Sequence, residues 1–229
     1  MPKAWTAIAV AAAALFVAGA SAVDLAVGRA ARGPANATSP ARDATRELKW
    51  DSGTASWLVA WYSGAGSWVG NDFDLSAVKT YPFLRTVRVY SYPGWPNRSW
   101  DGWRIAIYSF ARGVPGAMIW PTSGQPKFVK GKTSGYGWQE FAVNWNLPSG
   151  VRTFLPAVEQ FYDYPKCDPH AVDDNPSFLK HSWAYYQGVW QLNSNKYGYY
   201  NVMLRVVMDD EHNPGVAATS IGRVKALYY

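Results

Sequence analysis

Leu84-Arg85-Thr86-Val87-Arg88-Val89-Tyr90-Ser91-Tyr92 is the stretch that decides the fold. In an extended chain Val87 and Val89 fall on one side and Arg88 and Tyr90 on the other, because successive side chains of a strand point to opposite faces. Trp103 to Phe110 repeats the pattern, with Ile105 and Ile107 inward and Arg104 outward. Asn201 to Val207 does so again, setting Val202, Leu204 and Val206 against Met203 and Arg205. Period-two alternation gives each strand one buried face and one wet face, and two such sheets bury their apolar faces by packing together.

Outward from these segments, from Leu48 onward, short runs rich in Val, Ile, Tyr, Phe and Trp alternate with clusters of Gly, Pro, Asn and Ser, and no run keeps a helical period. This predicts an all-β fold, an antiparallel two-sheet β-sandwich. Further strands are expected over Trp57 to Tyr62, Ser67 to Leu75, Gln125 to Val129, Trp138 to Trp145, Thr153 to Phe161, Ser182 to Tyr186 and Val189 to Leu192. Gly188 marks a tight hairpin between the last two. The polar connection from Tyr164 to Leu179, with Pro165, Pro169 and Pro176, reads as a long functional or mobile loop.

The ends divide the chain further. Residues 1–22 read as a secretory signal peptide, with Lys3, an alanine-rich apolar stretch, and the small residues Ala20-Ser21-Ala22 before a cut; the alternative is an uncleaved membrane anchor over Ala4 to Ala22. Residues 23–46 lack large apolar side chains beyond Leu25 and read as a flexible leader. The sandwich is expected over 47–208, and 209–229 form a C-terminal tail, docked, frayed or read as a tag. No membrane span is expected after cleavage. The lone Cys167 allows no internal disulfide, so an exported chain of this kind relies on its core. The net charge of +6 is scattered, not gathered on one face, and argues against a nucleic-acid groove.

Several short motifs carry a resemblance. Leu48-Lys49-Trp50-Asp51-Ser52-Gly53-Thr54-Ala55, Tyr81-Pro82, Arg104-Ile105-Ala106-Ile107-Tyr108, Gly113-Val114-Pro115-Gly116, Trp138-Gln139-Glu140-Phe141, Phe154 to Gln160 and Met203-Leu204-Arg205-Val206-Val207 occur in this order. Together, from Leu48 to about Met208, they resemble the jelly-roll β-sandwich accessory modules of secreted bacterial proteins. That resemblance implies a jelly-roll sandwich and a secreted or cell-surface setting, and it supplies no catalytic residues.

Function is then sought among exposed aromatics and polar clusters. Trp95, Trp100 and Trp103 lie in and beside a Pro/Gly-rich segment with Asn97, Arg98 and Asp101. Exposed indoles stack on the apolar faces of sugars while such polar neighbours hold hydroxyls, so these six residues are a candidate ligand-binding platform; folded inward, the same tryptophans would be a lid on the sandwich. A second concentration, Trp183, Tyr185, Tyr186, Trp190, Tyr197, Tyr199 and Tyr200, reads first as cross-strand packing and second as a binding face. Asp72 and Asp74, with Asp168, Asp173 and Asp174, are candidate calcium ligands, alternatively a solvated acidic loop. Cys167, His170 and His181 offer only three soft ligands toward a zinc site. Gly131-Lys132-Thr133 lacks the earlier glycine of a phosphate loop. Glu140 and Glu159 are the carboxylates a glycan hydrolase would have to bring together, and otherwise read as exposed sheet residues. The reading is a secreted, non-catalytic binding module for polysaccharide or a cell-surface polymer, with no cofactor beyond a structural calcium; the alternatives are a self-associating matrix protein and a hydrolase.

Overall fold

The computed structural model describes residues 25–29, 45–75, 83–92, 103–129, 137–176, 180–193 and 200–209. The signal-peptide segment, the Pro/Gly segment from 93 to 102 and the tail from 210 lie outside them. The described chain is all β. Its strands are β1 (Leu25–Arg29), β2 (Thr45–Leu48), β3 (Trp57–Trp61), β4 (Ser67–Asn71), β5 (Phe73–Asp74), β6 (Phe83–Ser91), β7 (Trp103–Ala111) and β8 (Val114–Trp120). They continue as β9 (Lys127–Val129), β10 (Gly137–Asn146), β11 (Thr153–Gln160), β12 (His170–Asp173), β13 (Ser182–Tyr186), β14 (Val189–Leu192), β15 (Asn201–Val202) and β16 (Leu204–Asp209).

Three antiparallel sheets build two layers. One layer combines β1-β3-β12-β15 with β10-β6-β16-β2; the other is an eight-stranded sheet, β14-β13-β4-β11-β7-β8, with β5 on β11 and β9 on β7. The two smaller sheets join at Met203, where the chain leaves β15 and enters β16: its N–H bonds Ala171 and its carbonyl accepts from Tyr90. Asn71 holds this junction from the opposite layer, donating from Nδ2 to the carbonyls of Val202 (2.8 Å) and Leu204 (2.9 Å) while its Oδ1 accepts from Ser182. A buried polar side chain is tolerated when it is fully hydrogen-bonded, and here it locks one layer to the other.

The main core lies between the layers. Val87, Val89, Leu204 and Val206 from one side meet Ile105, Ile107, Phe154 and Val158 from the other. The three segments that decided the fold are therefore strands of this core, with the inward residues expected. β10 shows the rule most cleanly, with Gln139, Phe141 and Val143 buried and Glu140, Ala142 and Asn144 exposed in alternation. Gln187 and Gly188 make the tight β13–β14 hairpin, both at positive φ (53° and 86°).

Three expectations are corrected. The segment read as a flexible leader contributes β1, which pairs with β3, and the first two residues of β2, which pairs with β16. Ladder hydrogen bonds are made by the backbone, so a segment poor in large apolar side chains can still add an edge. The long polar connection likewise contains β12, which pairs with β3 and β15 in the middle of its sheet. Arg205, expected on a wet face, is 3% exposed. Asp51 accepts from its Nε (3.0 Å) and Nη2 (2.5 Å), and the Trp138 ring covers the guanidinium at 4.0 Å. A charge is buried at tolerable cost only when paired and hydrogen-bonded in this way. Burial pushes the Asp51 carboxyl above its ordinary range, and Arg205 draws it back.

Candidate aromatic binding face

The eight-stranded sheet has a second face, turned away from the main core, and it is not a polar surface. Period two sends Trp68 of β4, Leu155 and Ala157 of β11, Ala106, Tyr108 and Phe110 of β7, and Trp183 and Tyr185 of β13 to this side, where they form a separate apolar cluster with Met118, Trp190 and Leu192. The registers align them in rows. Tyr185, Trp68, Glu159 and Arg104 stand opposite one another on β13, β4, β11 and β7, and Trp183, Gly70, Ala157 and Ala106 form the next row.

The sheet curls around this cluster. Tyr108 on β7 and Trp190 on β14 have three strands between them, so at about 4.8 Å per strand a flat sheet would separate their backbones by about 19 Å. Their ring centroids are 5.1 Å apart. Phe110 likewise reaches Trp183 at 5.4 Å across two intervening strands. The small residues of the second row permit the curl: a Cβ on Gly70 would come within 2.3 Å of the Pro156 carbonyl oxygen. The face is thus the hollow of a half-barrel. Trp68 and Trp183 form its floor at 7% and 8% exposure, and the half-buried Tyr108, Tyr185 and Trp190 form its upper surface.

A polar cluster borders the rings. Arg104 Nη1 donates to both oxygens of Glu159, at 3.3 and 3.2 Å, and its guanidinium lies 4.2 Å over the Phe161 ring. Glu159 is buried while Arg104 keeps 39% of its side chain exposed. Burial raises the Glu159 carboxyl above its usual range and Arg104 partly restores it. The Tyr108 hydroxyl is raised by its own burial, then by the charge of Glu159 and by Tyr185. Neither tyrosine hydroxyl has a hydrogen-bond partner among the described residues.

Asp72 ties the floor of this face to the surface beyond it. Its Oδ1 accepts from Trp183 Nε1 at 2.8 Å, and its Oδ2 lies 3.0 Å from Nδ1 of His181. Trp50 stacks on the His181 ring at 3.7 Å and donates through Nε1 to the Asp72 carbonyl.

The residues singled out in the sequence fall in different places. Trp95, Asn97, Arg98, Trp100 and Asp101 lie outside the described residues. Trp103 does not stand on a platform: it is 0% exposed, on β7 in the main core, edge-on to Phe141 at 5.9 Å. It is the first residue of a core strand, in phase with Ile105 and Ile107, and that phase buries it. The five aspartates are dispersed. Asp72 serves His181 and Trp183, Asp74 is exposed on β5, and Asp168 is buried. Asp173 caps the backbone N–H groups of Ser52 and Asn175, while Asp174 holds Ser56 and Trp57. Among the described residues no group of three or more His, Cys, Asp and Glu is placed to hold a metal ion. Cys167 is buried, with its thiol pushed up to about 12, and His170 is wholly buried.

Glu140 and Glu159 are not brought together. Glu140 is on β10 with Arg88, in the other layer, and Glu159 is buried in place of the exposed position expected for it. Of the second aromatic concentration, Trp183, Tyr185 and Trp190 join the hollow, Tyr186 enters the main core, and Tyr197 and Tyr199 lie outside the described residues. Trp68 and Tyr108 were missed as site residues, and Glu159 was weighed with Glu140 and not with Arg104. The signal of the two rings was present, since each sits on the nominally wet phase of its strand, where a ring is out of keeping with an exposed sheet; the Arg104–Glu159 pairing left no such mark.

The fold and this hollow define an all-β module with an aromatic-lined concave face. No family model and no curated protein matches the chain. Among solved structures it is similar to one comprising the cysteine protease and lectin-like domains of Cwp84, a surface-layer-associated protein of Clostridium difficile, at 11% identity and a TM-score of 0.56, over 76% of this chain and 37% of that one. It is also similar to a structure of the clostridial cysteine protease Cwp84 after propeptide cleavage, at 10% identity and a TM-score of 0.51, over 76% and 42% of the two chains. The chain thus spans about two fifths of the length of these solved chains, and the likeness is one of fold.

Proposed function

We propose that this is a non-catalytic binding module for polysaccharide or another cell-surface polymer, acting through the hollow of the eight-stranded sheet. The observation that carries the reading is the meeting of Tyr108, Tyr185 and Trp190 beside a Glu–Arg pair. Half-open rings offer flat apolar surface, and adjacent polar heads offer the few directed hydrogen bonds that orient a sugar. The separation of Glu140 from Glu159 in different layers favours binding over glycoside hydrolysis, which needs two carboxylates flanking one bond. The lectin-like domain present in a structure of similar fold supports the same reading, as does that protein's place at a cell surface.

The test is co-sedimentation of the purified chain with insoluble polysaccharides, followed by tryptophan fluorescence with soluble fragments. Trp190→Ala should abolish the shift and release the protein from the pellet without unfolding it. Binding that survives Trp190→Ala and Tyr185→Ala unchanged would exclude this face. A chain that binds no polymer and sediments as its own assemblies would instead be a self-associating matrix protein.

A further inference from the structure

We infer that the hollow selects an uncharged glycan, and that the Arg104–Glu159 pair is the element that sets this choice. The inference rests on the reading of the hollow as a glycan site. Along the strand registers, Arg104 and Glu159 stand opposite one another on neighbouring strands of this face, and the same phase also carries Asp74, opposite Thr153 at the other end of β11, and Asp72, which accepts from Trp183 in the floor. The charges of the pair cancel and Asp72 and Asp74 are carboxylates, so the face carries no positive surplus with which to draw an acidic polymer, although the chain as a whole is +6. Among the described residues Glu159 engages only Nη1 of the guanidinium, which leaves Nη2 and Nε as donors for a ligand on a side chain 39% exposed. The fork is fixed in place by Phe161 beneath it.

Two such donors, in the strand row that Tyr185 shares, together with the hydroxyls of Tyr185 and Tyr108, which can donate or accept, match the hydroxyls of a neutral sugar lying on Trp190. A carboxylate or phosphate on the ligand would seek the same edge of Arg104 but would meet the Glu159 charge a few ångströms away, and like charges at that distance repel strongly where water is thinned. Glu159 is therefore a positioning residue in two senses: it aims Arg104 and it neutralises it. A hydrogen bond to a charged donor contributes about 1.5–3 kcal/mol, so losing it should weaken binding by roughly 10- to 100-fold.

The experiment compares hydroxyethyl cellulose, which is neutral, with polygalacturonate, which is acidic, by affinity electrophoresis and fluorescence. Salt of about 0.5 M shortens the screening length to about 4 Å and suppresses attraction to the net positive chain. The wild type should bind the neutral polymer and not the polyuronate. Glu159→Gln, which keeps the shape and removes the balancing charge, should lose neutral-polymer affinity and gain polyuronate binding by roughly 10-fold or more. Arg104→Gln, at the more exposed partner, should weaken neutral binding without any such gain, and near-ultraviolet circular dichroism checks that both variants stay folded. A wild type that prefers polyuronate in screened salt, or neutral binding unmoved by both substitutions but lost in Trp190→Ala, overturns the inference while leaving the glycan site standing. Binding of neither polymer, or of no polymer sensitive to Trp190→Ala, overturns the inference together with the reading it rests on.

Discussion

The two faces of the eight-stranded sheet are made from the same strands and do different work. Toward the sandwich interior, β7, β11 and β4 send Ile105, Ile107, Phe154, Val158 and Val69, all at 3% exposure or less. Toward the hollow, the same strands send Arg104, Tyr108, Leu155, Glu159 and Trp68, a mixture of rings and charges with several half-open members. β10 shows what an ordinary one-sided strand looks like, and β11, buried almost from end to end, shows what is different here. The lesson is that the wet phase of a strand is a place where function can be stored. Side chains there are not needed to hold the layers together, so their chemistry is free to be chosen for a ligand.

That contrast can be broken by substitution. The largest expected effect is on the interior: Trp103→Ala should cost about 3–5 kcal/mol, because it opens a cavity at a fully buried position. A urea midpoint near that of the wild type would show that Trp103 is not part of the core.

Next in size is an acid sensitivity on the interior side. His170 is wholly buried beside Trp61 at 6.0 Å, neither of its ring nitrogens has a partner among the described residues, and burial lowers its pKa from 6.5 to about 3. Between those values the unfolded chain binds a proton that the folded chain refuses. Stability should therefore fall as pH drops below about 6.5, by about 2 kcal/mol at pH 5, and level off only below about pH 3. Thermal melts of wild type and His170→Phe at pH 8 and pH 5 check this, and the variant should lose that part of the slope.

Gly70→Ala probes the curl between the two faces. The added methyl meets backbone at Pro156 and the Cβ of Ala157, so the sheet must shift, at a cost of about 1–3 kcal/mol. Glycan binding should weaken together with stability, since the hollow opens as the strands part. Smallest in stability is Trp190→Ala on the half-open rim. It should change the folding free energy by about 1 kcal/mol or less while removing most binding. Equal destabilisation by Trp103→Ala and Trp190→Ala would erase the distinction between the faces.

The alternation of Val87 and Val89, of Ile105 and Ile107, and of Val202, Leu204 and Val206 is enough to establish strands, their inward faces and a two-layer antiparallel fold. Alternation is a local property, and each strand carries its own. Trp103 illustrates the limit of reading by neighbourhood: taken with Trp95 and Trp100 it looks like a platform, whereas its phase with Ile105 already placed it inside. β1 and β12 were invisible because backbone pairing leaves little mark on side-chain pattern when the partner strands are supplied from far along the chain. The rings of Tyr108, Tyr185 and Trp190 are equally plain in the sequence, but their meeting is not. It depends on which strands lie between them and on how tightly the sheet bends over Gly70, Ala157 and Ala106, and those are long-range matters of strand order and curvature. What the residues decide alone is which way each side chain points; only the folded sheet decides which of them share a hollow.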